Sequence, residues 1–327
     1  MKKLSTEEYR LIARVAYMYH TLGAKQTIIA EQLDISQATV SRLLKQAVQE
    51  GIVRVTVTMP TGAHADMESA LCDHYGLKAA IIVDCDDTDE TALQHHIGSA
   101  AAFYLETTLD ANEKIGISSW SSTLLAMVNA MQPLTKPTHV QVIQILGGVG
   151  NPSAEVYASR LTERLAGLVQ GTPVFLPAPG VVRSSEMREA LLIDQFVQQA
   201  VRLFDEISLA LVGIGSVEPS RLLASSGNVF SPEELSAISD AGAVGDICLH
   251  FFDAQGQPVI TVYDERVISM SLQQLSKARR SVGIAGGQRK IPAILGALRG
   301  GWINVLITDI RTAEGLLDAI RLYETKG

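Results

Sequence analysis

The sequence predicts an α/β protein: an N-terminal winged helix-turn-helix followed by a doubly wound, Rossmann-like domain. Three observations predict it. The first sixty residues carry a three-helix apolar pattern with a capped third helix. The remaining 270 or so alternate short apolar strands with helical stretches. Charge is divided the same way: residues 1–60 hold eight Lys/Arg against five Asp/Glu, a net of +3, leaving −11 for the rest of a chain whose total is −8. A basic head on an acidic body suits a nucleic-acid reader joined to a separate sensing domain. The expected boundary puts a DNA-binding domain at 1–58 and an effector-binding and oligomerisation domain at 59–327, with Pro60 and Gly62 marking the linker.

Residues 5–22 read as the first helix. Ser5 and Glu8 form a capping box, Leu11, Ile12, Val15, Ala16, Met18 and Tyr19 recur at helical spacing, and Gly23 ends it. The second helix runs from Gln26 to Leu33, the turn is Asp34-Ile35-Ser36, and the third helix runs from Gln37 to about Gln49. Ile29, Ala30, Leu33, Ile35, Val40, Leu43 and Leu44 make the apolar back face, and small Ala30 lets the helices approach. Ser36 caps the third helix, whose polar front is sized to enter a major groove. Gln37 and Arg42 suit purine edges and Thr39 a thymine methyl. Ser41, Lys45 and Arg54 suit phosphates, and Gln26, Ser36 and Ala38 complete the expected contact surface. Gly51 breaks the chain, and Ile52 to Val57 alternates like the strand of a wing.

Beyond the linker, Met67 to Tyr75 reads as a helix. "AAIIVDC", "KIGIS", "VQVIQIL", "PVFLPAP", "ISLALVGIG", "VGIAGG" and "NVLITD" read as buried strands of a parallel sheet. "FFDAQGQPV" reads as a hairpin with Gly256 in its turn. Ligands of such sheets sit outside the carboxyl ends of the strands, and those ends are rich in Gly and Ser: Ser118 to Thr123, Gly147 to Gly150, Gly213 to Ser216, and Gly286 to Lys290. Glycine amides, hydroxyls and helix N-termini all favour an anion, with Lys290 supplying formal charge and Arg289 facing outward. Asp246, directly after Gly245, either binds a sugar hydroxyl or caps a helix.

Several chemistries are excluded. Gly213-x-Gly215 lacks the third glycine of a dinucleotide fingerprint, because position 218 is Glu, and no GxxxxGK[ST] occurs. Trp120 spoils a GxSxG around Ser118. His95 and His96 are adjacent surface residues without metal spacing, and Asp84-Cys85-Asp86-Asp87 reads as a solvated loop, so neither metal nor cofactor is expected. The three scattered cysteines, Cys72, Cys85 and Cys248, fit a reducing cytoplasm rather than a disulfide framework. Glu7, Glu8, Arg10 and Arg14 interrupt any signal-peptide core after Met1-Lys2-Lys3, and no apolar run approaches the roughly 18 residues of a membrane helix.

The stretch "KQTIIAEQLDISQATVSRLLKQAVQEGIVRVTV" resembles the DNA-binding segment of the SorC family of sugar-responsive bacterial regulators. It departs from the family at Lys25, Asp34 and Gln37, so no operator sequence carries over. "LGGVG", "LPAP", "VGIGSV", "AVGDI", "FFD", "GIAGG" and "LITD" follow in family order, and the resemblance spans about residues 8–322. It implies an effector domain similar to the sugar-phosphate isomerase and CoA-transferase folds, and a homodimer or homotetramer. It implies a phosphorylated sugar or polyol whose phosphate sits on the Gly147–Gly150 loop (Gly147, Gly148, Gly150) and the Gly286–Lys290 loop (Gly286, Gly287, Lys290), with Ser118, Ser119, Ser121, Ser122 and Thr123 of the neighbouring loop beside it and Asp246 on the sugar hydroxyls. Many members read W-G-R-T-L where this chain has Trp120-Ser121-Ser122-Thr123-Leu124; the missing Arg bears on how charged the ligand is.

The expected protein is therefore a cytoplasmic regulator of a carbohydrate or polyol operon, with double-stranded operator DNA, the effector and itself as partners, no membrane and no catalytic residues. One rival is a sugar-phosphate isomerase or aldolase with a DNA-binding tail, using Lys290 as base or Schiff-base amine; no second catalytic group accompanies it. Another is a constitutive DNA-binding protein that uses no ligand.

Overall fold

The computed structural model describes residues 6–50, 52–53, 64–85, 89–135 and 139–324. The chain divides into two compact units, Met1–Thr61 and Gly62–Gly327.

The first unit contains α1 (Thr6–His20), α2 (Gln26–Leu33) and α3 (Gln37–Gln49). Its core is the periodic apolar set: Ile12, Val15, Ala16, Ile29, Ala30, Val40, Leu43, Leu44 and Ala47. Leu33 and Ile35 are partly buried against it. Asp34 takes the left-handed conformation (φ 52°) that reverses the chain after α2, a conformation Asp tolerates better than most residues. Ser36 then caps α3, its hydroxyl accepting from the Thr39 amide at 3.1 Å. Ser5 of the expected capping box, the wing strand beyond Val53 (Arg54 included) and the linker residues Pro60 and Gly62 lie outside the described residues.

In the second unit, α4 (Ala65–Tyr75) leads to β1 (Ala79–Val83), α5 (Glu90–Thr108), β2 (Lys114–Ile117), α6 (Ser122–Ala130), β3 (Gln141–Gln144), α7 (Pro152–Leu168) and β4 (Thr172–Val174). Then come α8 (Ser185–Leu192), α9 (Gln195–Val201), β5 (Leu209–Val212), α10 (Arg221–Ser226), α11 (Pro232–Asp240), β6 (Ala243–Ile247), β7 (His250–Asp253), α12 (Leu272–Lys277), β8 (Arg280–Ile284), α13 (Ile291–Arg299), β9 (Val305–Asp309) and α14 (Ile310–Glu324). Among the described residues, seven strands form one sheet in the order β1-β9-β8-β5-β2-β3-β4. Every pairing in it is parallel.

Alternate residues of each strand feed two cores on opposite faces. Ala210 and Val212 join Leu306 and residues of α13 and α14 on one face. Leu209 and Leu211 join Ile307 and residues of α5, α6 and α7 on the other. Both faces are covered, which is why the strands read as continuous apolar runs.

The strand order reverses direction between β2 and β5. The chain runs outward from β2 through β3 to β4, then returns to β5 and winds the other way through β8 to β9. Loops leaving two neighbouring strands in opposite directions open a crevice at their carboxyl ends.

Two local readings change. Asp246 caps no helix: it lies on β6, which pairs antiparallel with β7. The connecting turn is Cys248-Leu249, both left-handed at φ 54° and 66°. Two-residue hairpin loops require this conformation and usually recruit Asn or Gly for it, so the sequence carried no turn signal. The strand expected across "PVFLPAP" is only Thr172–Val174. The hairpin at "FFDAQGQPV" has Gly256 in its turn at φ 80°, with the Val259 amide returning to the Phe251 carbonyl at 2.9 Å.

Candidate functional site

The β2/β5 crevice is a cleft of about 700 Å³ with its open mouth included. One wall is the loop after β2 and the start of α6: Ser118, Trp120, Ser121, Ser122 and Thr123. Trp120 is buried, and its indole N–H donates to the Gly147 carbonyl at 3.1 Å, which fixes the loop. Ser121 caps α6 by accepting from the Leu124 amide at 3.3 Å. That leaves the first two amides of α6, Ser122 and Thr123, without partners among the described residues, as helix N-termini do. Thr123 is only 5% exposed, and its hydroxyl has no partner either. A half-buried helix start with free amides and a hydroxyl is suited to an anion.

The second wall is Gly213 to Ser216, after β5, with the β6–β7 hairpin docked on it. Gly215 and Asp246 exchange two backbone hydrogen bonds, 2.9 and 3.1 Å. Gly215 has to be glycine, because a Cβ there would stand 2.1 Å from Asp246 Oδ1. Asp246 Oδ2 accepts from the Leu249 amide at 3.0 Å, and the carboxyl is 8% exposed. Burial pushes its pKa up to about 6, against the Leu249 hydrogen bond and the positive charges of Lys290 and His250. The same burial pushes the neighbouring Cys248 thiol up to about 12, although a hydrogen bond with Ser118 lowers it, so it is not a thiolate nucleophile.

Lys290 closes the cleft from the β8 side, ahead of α13. Desolvation lowers its pKa, while Asp246 and Glu90 favour the charged form and Arg289 opposes it. Glu90 and Gln94 of α5, and Glu218, Ser220 and Arg289, line the rest of the cleft. Arg289 and Glu218 lie 3.7 Å apart. The arrangement can hold an anion on one side and hydrogen-bond hydroxyls on the other. No cluster of metal-binding side chains occurs among the described residues.

Residues 60–318 match the family described as "Putative sugar-binding domain". The deoxyribonucleoside regulator of Bacillus subtilis (strain 168) is 32% identical over 96% of this chain and 99% of its own length. The chain belongs to the SorC family of sugar-binding transcriptional regulators. The full-length sorbitol operon regulator SorC of Klebsiella pneumoniae superposes on this SorC-family chain with a TM-score of 0.72 at 29% identity, covering 96% of this chain and all of that one. The "Putative sugar-binding domain of transcriptional regulator DeoR" of Pseudomonas syringae pv. tomato is 43% identical over 78% of this chain and all of that one, with a TM-score of 0.62. These relatives are transcription regulators, not enzymes. No helix of the described residues is long and apolar enough to cross a membrane.

Within this SorC-family chain, Ser118, Ser121, Ser122, Thr123, Asp246 and Lys290 come together around the cleft, whereas Ser119, Gly147, Gly148, Gly150, Gly286 and Gly287 do not line it. Ser119 is buried and donates to the Leu146 carbonyl at 2.8 Å. A Cβ on Gly147 would stand 2.3 Å from the Pro179 carbonyl, and one on Gly150 2.3 Å from the Ser226 oxygen. Gly148 bridges to Pro179. The Gly287 amide donates to Asp309 Oδ2 and Thr312 Oγ1, both at 2.8 Å, and a Cβ on Gly286 would stand 2.2 Å from that same carboxylate. These glycines permit close backbone packing. Sequence reasoning missed Glu90, Gln94, Glu218 and Ser220, and turned Arg289 outward; Arg289 is exposed, yet it borders the mouth of the cleft. In the first unit, Ser36, Gln37, Ala38, Arg42 and Lys45 are exposed, and Gln26, Thr39 and Ser41 half-buried.

Proposed function

We propose that this chain is an effector-controlled DNA-binding regulator of a carbohydrate or polyol operon, acting in the cytoplasm as a homodimer or homotetramer. Residues 1–58 form a winged helix-turn-helix and residues 59–327 the effector-binding and oligomerisation domain. Helix α3 enters the major groove of a palindromic operator with Gln37, Thr39 and Arg42 on base edges and Ser41, Lys45 and Arg54 on phosphates; Gln26, Ser36 and Ala38 flank them. The net charge of +3 over residues 1–60 and the exposed polar face of α3 support this.

A phosphorylated sugar or polyol occupies the cleft. Its phosphate sits on Ser121, Ser122, Thr123 and Lys290, and its hydroxyls reach Asp246. The observation that carries this reading is the partnerless α6 start facing the same cavity as Lys290 and Asp246. Names of relatives, a sorbitol operon regulator and a deoxyribonucleoside regulator, accord with such an effector. The effector acts only through its different affinities for two arrangements of the oligomer.

Fluorescence anisotropy on DNA from upstream of the gene, at fixed salt, tests the proposal with a panel of phosphorylated sugars and polyols. One compound shifting operator affinity by about tenfold or more bears it out. Specific DNA binding that no compound shifts refutes the effector role, and absence of specific binding refutes the DNA-reading role.

A further inference from the structure

A sugar phosphate can carry one phosphate or two. Charge and free donors decide between them. An anion needs amides that are not already engaged, or a cation that is not already balanced.

The cleft and its flanks offer several places for a second phosphate, and each meets either an engaged amide or a carboxylate. After β3, the Gly147 amide donates to Ile268 O at 3.0 Å and the Val149 amide to Ala178 O at 3.1 Å. After β8, the Gly287 amide is held by Asp309 and Thr312. At the start of α13, the Lys290 amide donates to Gly287 O, the Ile291 amide to Gln288 O, and Pro292 has no N–H. At the start of α5, the Asp89 carboxylate accepts from the Ala92 amide and the Glu90 and Thr91 amides stay open, but the carboxylates of Asp89 and Glu90 on that first turn oppose an anion. The Gly215 amide donates to Asp246 O. The start of α6 has open amides and no acidic residue in its first turn.

The cations are equally committed. Arg289 faces Glu218 at 3.7 Å. Lys290 stands within electrostatic reach of Asp246 and Glu90. The cleft lining thus holds three carboxylates, Glu90, Glu218 and Asp246, against two cations. One phosphate bound at α6 with Lys290 uses the available positive charge. A second, elsewhere in the cleft, meets the excess of carboxylate over cation.

We infer that the cleft is built for a ligand with a single anionic group and an uncharged, hydroxyl-bearing remainder, and that Glu90 and Glu218 exclude bisphosphates. This rests on the effector reading above and narrows its ligand class. The carboxylates play two parts at once: each accepts hydrogen bonds from hydroxyls, and each repels a second dianion. Like-charge juxtaposition of this kind is how a site rejects a near relative of its own ligand.

The test is calorimetric titration of the full-length chain with matched pairs: ribose 5-phosphate against ribose 1,5-bisphosphate, fructose 6-phosphate against fructose 1,6-bisphosphate, and glucitol 6-phosphate against glucitol 1,6-bisphosphate. In whichever pair binds, the monophosphate is expected to bind about tenfold or more tightly than its bisphosphate. In the doubly substituted E90Q/E218Q chain, that preference should shrink to about threefold or less while the monophosphate still binds. A bisphosphate binding as tightly as its monophosphate in the unaltered chain overturns the inference and leaves the effector reading standing. A preference that E90Q/E218Q does not change overturns the role given to the two glutamates. If no member of any pair binds while uncharged ribose, fructose or glucitol does, the phosphate reading falls, and the inference falls with it.

Discussion

Replacing Asp246 with asparagine separates what this side chain does for a ligand from what it costs the fold. Asp246 is only 8% exposed, and burial lifts its pKa from the 3.8 of an exposed aspartate to about 6. Each pH unit of displacement corresponds to about 1.4 kcal/mol, so above pH 6 the ionised carboxyl costs the folded state about 3 kcal/mol. The sign follows from proton binding. Between the two pKa values the native protein holds the proton more tightly than the unfolded chain, so stability falls as pH rises from about 4 to about 6 and the cost is constant beyond. Asparagine keeps the oxygen that accepts from the Leu249 amide and removes the charge. The ligand-free D246N chain should therefore be more stable at pH 8 by about 3 kcal/mol, or about 6–12 °C in the transition of the larger unit. The gain should shrink through pH 6 and vanish near pH 4. Thermal unfolding of both proteins at several pH values and constant ionic strength measures this. A variant no more stable than its parent at pH 8, or one whose advantage is the same at every pH, would refute the reasoning. The same variant should respond more weakly to effector, which would make Asp246 a residue that trades stability for binding.

Lys290→Ala removes the cation of the anion cradle, and effector affinity should fall about 10- to 100-fold while operator affinity without effector stays unchanged; anisotropy with and without ligand separates the two. Arg42→Ala should do the converse, weakening the operator about tenfold or more and relaxing sequence preference at one position, as a binding-site selection would show. Gly147→Ala places a methyl 2.3 Å from the Pro179 carbonyl and should cost about 2–3 kcal/mol of stability in chemical denaturation.

Much of the fold is legible in the sequence because its signals are local. The strands of the sheet are runs of Val, Ile and Leu buried on both faces, and α2, α3, the Asp34 turn and the Ser36 cap each follow from residues within four positions of one another. The β6–β7 hairpin is not legible, because Cys248 and Leu249 adopt φ values of 54° and 66° that their residue types do not announce; tertiary docking of Asp246 on Gly215 holds them there.

The site is legible in part for a different reason. Strand order is a long-range property. The loops after β3 and β8 look as glycine-rich as those after β2 and β5, yet each lies one strand away from the point where the winding reverses. Gly147 is glycine because Pro179 approaches it, and Gly286 because Asp309 does. Close backbone packing and phosphate binding select the same residue, and only the topology tells them apart. Glu90 at the start of α5, and Glu218 and Arg289 in connecting segments, resemble ordinary surface until the cleft brings them together.

The central claim is that one free energy couples the cleft to the operator, and coupling of this kind is reciprocal. The direct measurement is effector affinity, by calorimetry, for the full-length protein free and saturated with operator. If effector changes operator affinity by a given factor, operator must change effector affinity by the same factor. The expected result is that shared factor, about tenfold or more, abolished in Lys290→Ala. Equal effector affinities with and without DNA would contradict the account, because a ligand that binds both states alike shifts neither.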